Sequence, residues 1–298
     1  MMQRSSAGTV IDRASIRARI QQAIQILKEA GIETPRMEAQ LLLAQALGVP
    51  RSAVLAETYP PPDPAQLAAF DQLVRARARR TPLAYLRGTQ EFYGLDFEVT
   101  PAVLIPRPET ELLVEIALEH LPGQQPAWIA DAGTGSGCIV TSILAHRPAV
   151  RAIATDCCTD ALRVAQRNAI LHAVAPRVRY VCTDFLSGLQ GPFQIILSNP
   201  PYIPAPEIPD LPPEVRLSEP RAAIDGGQDG LNAYRRLIPQ GARLLCPEGL
   251  MAVEVARGQA STVADFMKRA GLTRVEIRPD LAGIPRIVYG YRSSTAHV

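Results

Sequence analysis

Four consecutive residues, Asn199-Pro200-Pro201-Tyr202, combine an amide side chain, a stiffened backbone and an aromatic ring. That set suits a planar nitrogen. An amide or aromatic amine is a poor nucleophile because its nitrogen lone pair is delocalised. The Asn199 side-chain oxygen and the Pro200 carbonyl can accept both N–H bonds of an NH2 group and turn its lone pair toward an electrophile. Proline has no N–H and a locked φ, so two in a row hold the carbonyl direction. Tyr202 can stack on the planar group. Catalysis of this kind rests on positioning and electrostatics, with neither a covalent intermediate nor a metal. Asn-Pro is also common in ordinary turns. Here it ends an apolar run, Phe193 to Ser198, that reads as a strand.

The elements that must position this tetrapeptide begin near residue 127, where strands and helices alternate. Trp128 to Ala132 reads as a strand; Gly133-Thr134-Gly135-Ser136-Gly137 follows and leads into a helix bearing Ile139, Val140, Ile143 and Leu144. A strand, a glycine turn and a helix open a doubly wound sheet, whose ligands bind at the carboxyl ends of the strands. The dinucleotide pattern GxGxxG places its third glycine where Cys138 stands, and a P-loop needs a lysine that is absent. The spacing from Asp131 to Gly137 instead resembles the first motif of class I methyltransferases. That resemblance implies S-adenosylmethionine, whose methyl sulfonium would be the electrophile.

The next strand, Ala152 to Thr155, ends in Asp156, where a carboxylate can accept both ribose hydroxyls. Asp156 can also be read as a helix cap. Thr159 or Asp160 can fill that cap, which favours the ribose role. After the third strand, Val178 to Cys182, Asp184 can accept from an adenine amino group and Phe185 can pack on the ring. Two later strands, Val275 to Arg278 and Arg286 to Tyr291, suit an antiparallel end to the sheet. The proline-rich stretch from Pro204 onward reads as a lid or substrate wall, because it follows the reaction motif directly.

Residues from about 12 to 80 show helical spacing and no strand signal. Ile16, Ile20, Ile24 and Leu27 form one face; Thr34-Pro35 and Asp63-Pro64 are helix starts; Gly31 and Gly48 are stops. Arg75, Arg77, Arg79 and Arg80 end the last helix and read as a solvated face at a helix C-terminus, ahead of the alternative of a docking patch for an acidic or RNA-rich partner. Glu91-Phe92-Tyr93 and Phe97-Glu98-Val99 around Gly94-Leu95-Asp96 suggest a hairpin. Arg107, held between Pro106 and Pro108, can reach toward the active site.

Length allows one large and one smaller domain across 298 residues. A net charge of +2 gives no global push toward nucleic acid. No long uncharged apolar run reads as a membrane span. Residues 1–19, with Asp12 and four arginines, do not read as a secretory signal. The five cysteines have no CxxC spacing; three lie in or beside apolar runs, so they read as reduced, mostly buried thiols of a cytoplasmic protein.

Leu104-Ile105-Pro106-Arg107-Pro108-Glu109-Thr110-Glu111, Asp131 to Gly137, Asn199 to Tyr202, and Gly226-Gly227 with Asp229-Gly230-Leu231 together resemble the protein-glutamine methyltransferases of the PrmC/HemK type. Nearly the whole chain takes part. The tetrapeptide alone is shared with adenine and guanine methyltransferases; the Pro-Arg-Pro-acid segment is more selective. The resemblance implies an α/β fold: a class I methyltransferase with a Rossmann-like, seven-stranded, mostly parallel sheet. It implies a helical substrate-docking domain at 1–82, a hairpin linker at 83–106 and a methyltransferase domain at 107–298. By the same resemblance Gly133, Thr134, Gly135, Ser136, Gly137, Asp156 and Phe185 contact S-adenosylmethionine, joined by Asp184 from the strand-tip reading. Asn199 lies between cofactor and substrate, and Asn199, Pro200, Pro201 and Tyr202 grip the glutamine amide of the Gly-Gly-Gln motif of bacterial peptide chain release factors. The expected protein is a cytoplasmic monomer without metal, membrane or direct nucleic-acid substrate. After Glu254 the family's glycine is expected sooner than Gly258. Competing readings are glutamine methylation of a ribosomal protein, N-methylation of adenine or guanine in nucleic acid, and a non-catalytic binding module. The nucleic-acid reading calls for a basic groove and a target-recognition domain, and neither is evident; the intact tetrapeptide argues against the binding module.

Overall fold

The computed structural model describes residues 12–121, 123 and 125–294. The reading of residues 1–19 therefore falls in part outside the described residues. The chain divides into two compact units, Met1–Arg87 and Gly88–Val298.

The first unit is helical: α1 (Arg13–Glu29), α2 (Pro35–Leu47), α3 (Arg51–Ala56), α4 (Pro64–Ala78) and α5 (Leu83–Arg87). The start and stop signals act locally. Asp63 caps α4 in a reciprocal capping box with Gln66, and Gly48 closes α2 in the left-handed region. Ile16, Leu27, Leu42, Leu43 and Phe70 form the core of the unit. The arginines in and just after α4 divide. Arg77 is buried against Glu38, a long-range ion pair, and Arg80 donates to the carbonyls of Ala30 and Gly31 at the end of α1. Two of the four arginines expected on a solvated face thus hold the bundle together.

The second unit opens with a hairpin, β1 (Thr89–Phe92) and β2 (Leu95–Glu98), and continues through α6 (Glu111–His120), β3 (Ala127–Ala132), α7 (Cys138–His146), β4 (Val150–Asp156), α8 (Thr159–Leu171), β5 (Val178–Cys182) and β6 (Phe193–Ser198). Short helices α9 (Pro213–Ser218) and α10 (Arg221–Ile224) precede α11 (Asn232–Leu244), β7 (Leu245–Glu254), α12 (Ala260–Arg269), β8 (Leu272–Pro279) and β9 (Pro285–Arg292). The hairpin turn is Tyr93-Gly94, both at positive φ, one residue earlier than its sequence suggests. Two residues of that conformation match the twist of paired strands.

The seven-stranded sheet has the order β5-β4-β3-β6-β7-β9-β8. Pairing is parallel from β5 to β7 and antiparallel for β9 and β8. Alternation along the strands creates two cores. Ile129, Ile195 and Ala252 face α6, α7 and α8, while Ala130, Ile196 and Val253 face α11 and α12. This is the seven-stranded, mostly parallel α/β sheet that the resemblance implies. The cysteines depart from expectation: only Cys138 is buried, while Cys157, Cys158 and Cys182 are exposed. These three lie at or just after a strand end or just before a helix, where apolar neighbours in sequence do not imply a covered side chain. All five are free thiols.

Candidate active site

A cavity opens at the carboxyl ends of β3, β4 and β6, the position where open α/β sheets place ligands. Its first end is the glycine turn. Gly133, Thr134, Gly135 and Ser136 line it. Gly135 has φ of 53°, and a Cβ built there would meet open space, so glycine is required by the backbone rather than by crowding. Gly137 is required for both reasons. Its φ is 76°, and a Cβ would come within 3.0 Å of the Ala165 side chain on α8. Gly137 is absent from the cavity wall and instead lets α7 approach α8.

Buried side chains fix the turn from below. Thr134 donates to Asp131 Oδ2 at 2.6 Å, and burial pushes the Asp131 carboxyl up to about 7. Asn168, fully buried on α8, donates to the carbonyls of Ser136 and Glu98 and accepts from the Glu98 N–H. One amide thereby ties the hairpin to the glycine turn.

Asp156 lines the cavity at the end of β4. Its Oδ2 accepts from the Gly135 N–H at 3.0 Å and its Oδ1 from the Cys158 N–H at 2.9 Å. Cys158 occupies the cap position of α8 with no side-chain cap bond, so neither Asp156, Thr159 nor Asp160 is that cap. Asp184 and Phe185 also line the cavity. Asp184 is paired with Arg236 at 2.9 Å, and the same guanidinium lies 5.1 Å from the centre of the Phe185 ring. Arg236 sits on α11 in no recognisable motif, so sequence reasoning missed it.

At the other end, Asn199 and Pro201 line the cavity, whereas Pro200 is buried and Tyr202 is turned inward. The Tyr202 hydroxyl donates to Glu254 Oε1 at 3.2 Å, and burial raises its pKa. Asn199 Nδ2 donates to Thr110 Oγ1 at 3.0 Å, and Thr110 donates to Glu254 Oε2 at 2.6 Å. Asn199 Oδ1 is buried and has no hydrogen-bond partner among the described residues. Such an acceptor is costly to leave unmet unless a ligand donates to it.

Arg107 reaches the cavity, as its placement between prolines suggests, and pairs with Glu219. Burial raises the Glu219 pKa, and the Arg107 charge opposes that rise. The segment after the tetrapeptide is a wall. Pro220, Ala222 and Ala223 line the cavity, and the Ile203 backbone pairs with the Ile224–Gly226 backbone. Gln259 holds this arrangement by donating to the carbonyls of Tyr202 and Gly230. Gly258, the late glycine after Glu254, has φ of 90° and directs the chain to Gln259.

A family model described as the PrmC N-terminal domain matches residues 19–88, and one described as the methyltransferase small domain matches residues 109–207. A release factor glutamine methyltransferase of Moorella thermoacetica is 45% identical over 280 residues, covering 93% of this chain and 99% of that protein. The protein of the same name from Geobacter sulfurreducens is 44% identical over 269 residues, covering 89% and 92%. Among solved structures, a methyltransferase from Pyrococcus furiosus has a TM-score of 0.51 at 17% identity, covering 68% of this chain and 91% of that one, which speaks to the fold alone. With such identity sustained over nearly its whole length, the chain belongs to the release factor glutamine methyltransferase family.

Proposed function

We propose that this protein transfers a methyl group from S-adenosylmethionine to the side-chain amide nitrogen of the glutamine in the Gly-Gly-Gln motif of bacterial peptide chain release factors. The single observation that carries this reading is Asn199 Oδ1, a buried acceptor without a partner in the wall of the cavity. An amide NH2 is a donor that would complete it. The matched relatives bear the name of that reaction.

The residues fit the cofactor. A backbone turn open to close approach, two carboxylates and an aromatic ring line one end of the cavity. Gly133 to Ser136 would take the methionine part, Asp156 the ribose hydroxyls, and Asp184 with Phe185 the adenine. When bound, the cofactor supplies an electrophilic methyl on sulfur. The chain's own contribution is orientation. Asn199 Oδ1 and the Pro200 carbonyl accept the two N–H bonds of the glutamine amide, and Pro201 limits where its plane can lie. The wall formed by Arg107, Glu219 and Pro220 keeps water from the amide. The inward position of Tyr202 favours support of the site over stacking on the substrate. We assign the helical unit, which the PrmC N-terminal domain model matches over residues 19–88, to docking the release factor. A release factor substrate places the reaction in the cytoplasm.

Labelled S-adenosylmethionine, offered with release factor, ribosomal protein or DNA, tests the reading. Label is expected on release factor, and is expected to vanish when the Gly-Gly-Gln glutamine is replaced by alanine. Label on nucleic acid but not on protein would overturn it.

A further inference from the structure

Glu254, Thr110 and Asn199 form a buried chain that crosses from the end of β7, through the 3-10 turn Pro108–Thr110, to the residue after β6. Thr110 and Glu254 are 3% and 2% exposed, so water does not substitute for their bonds. The donor inventory gives the chain a direction. A hydroxyl has one hydrogen, and an ionised carboxylate can only accept. The Thr110 hydrogen is committed to Glu254 Oε2 at 2.6 Å. Toward Asn199, Thr110 can then only accept, and it does so from Nδ2 at 3.0 Å. An amide whose NH2 is held on one side presents its oxygen on the other. Asn199 Oδ1 is the atom left without a partner.

We propose that Glu254 and Thr110 are positioning residues that set the amide orientation of Asn199, so that the cavity meets an acceptor rather than an NH2 group. This inference rests on the amide-gripping role of Asn199. If the amide turned over, its NH2 would face the substrate NH2, donor against donor, and the oxygen would meet Thr110. A terminal amide has nearly the same shape either way, so packing alone does not choose between the two. The polarity of the buried chain does.

The charge on Glu254 matters for the same reason. A carboxylate makes the direction single-valued; a neutral carboxyl, with one donor and one acceptor, permits both. Burial pushes this carboxyl up to about 7, the Thr110 and Tyr202 hydroxyls oppose that rise, Glu109 on the 3-10 turn adds to it, and Arg286 on β9 opposes it. Tyr234 on α11 donates to the Glu254 backbone carbonyl at 2.8 Å, and Arg107 lies beyond Tyr202. Ordering of Asn199 is therefore greatest above the Glu254 pKa and declines as pH falls through it.

The test uses the full chain with release factor and S-adenosylmethionine. Thr110→Val keeps the shape and removes the hydroxyl; kcat is expected to fall about 10- to 100-fold, the range for a hydrogen bond to a charged partner. KM for the release factor and Kd for the cofactor should stay within about 3-fold, which a general structural defect would not allow. Thr110→Ser restores the hydroxyl and should recover most of kcat. Glu254→Gln should lower kcat and erase the part of the pH profile that rises near 7. An unchanged kcat in Thr110→Val, a Ser variant as poor as Val, or a Glu254→Gln enzyme that keeps the rise would each overturn the inference. If Thr110→Val does not fold, the Ser and Gln variants decide. The Asn199 side-chain amide signal in 1H–15N spectra provides a readout without turnover. Its proton exchange should be slow in wild type and Thr110→Ser and fast in Thr110→Val. Slow exchange with no methylation of any release factor would refute the substrate and leave the positioning intact.

Discussion

The two ends of the cavity are built on opposite plans. At the glycine end Asp156 accepts from the Gly135 and Cys158 N–H groups, and Asp184 is already paired with Arg236. At the Asn199 end the groups are buried side chains from distant parts of the chain, and the unmet acceptor, Asn199 Oδ1, belongs to a residue of the cavity wall, whereas Asp131 Oδ1 lies unmet beneath the glycine turn. The first plan suits a surface that takes the same ligand in every turnover. The second holds an unsatisfied group in readiness, which makes binding of the correct donor more favourable and penalises anything else. Rigidity at one end and polarity at the other are thus separate tasks, carried by different parts of the polypeptide.

Substitutions can break or sharpen that contrast. The largest effect is expected for Asn199→Ala. Single-turnover methylation should drop by about 10²- to 10³-fold, as when one preorganised hydrogen-bonding group is removed from a reaction site. Cofactor Kd, measured by calorimetry, should hardly move. Wild-type turnover would refute the amide-gripping role, and a lost cofactor affinity would mean the two ends are not independent. Asp156→Ala should do the reverse. It removes the carboxylate and loosens Gly135, weakening cofactor Kd by about 10-fold or more. An unchanged dissociation constant would count against the ribose assignment.

The smallest effect concerns stability and pH. Burial pushes Asp131 up to about 7 from an ordinary carboxylate value near 3.8. Between those values the folded chain keeps a proton that the unfolded chain has lost. The Asp131 contribution to stability therefore declines as pH rises from about 4 toward 7. Asp131→Asn should flatten that part of the profile in thermal melts between pH 5 and 8. An identical slope in the variant would show that Asp131 is not the group responsible.

The glycine end was almost fully legible. Gly133 and Gly135 act through the backbone and the Asp156 carboxylate accepts from N–H groups nearby, and such demands leave marks at fixed spacing. The hairpin, the helix start at Asp63-Pro64 and the stop at Gly48 were readable for the same reason. Arg236, Asn168, Glu219 and Thr110 were not seen as site residues. Each acts on a partner tens to more than a hundred residues away, and although Thr110 lies within the Leu104–Glu111 segment, no local pattern assigns any of them its partner. Arg77 and Arg80 show the same limit, since a run of arginines at a helix end looks solvated until a distant Glu38 and the end of α1 are brought against it. The exposed Cys157, Cys158 and Cys182 show its converse, because apolar neighbours along the chain do not report what covers a thiol at a strand end.

What the amino-acid sequence determined by itself is the order of strands and helices, the backbone turn that a nucleoside ligand could enter, and an asparagine suited to a planar nitrogen. Those follow from interactions within a few residues. Which atom of Asn199 faces the cavity was decided only by tertiary structure. That choice depends on the single hydrogen of Thr110 and on the charge of Glu254, 144 residues farther along the chain. A short-range pattern can specify a residue type, but the direction of a hydrogen bond is set by every partner in the chain of bonds.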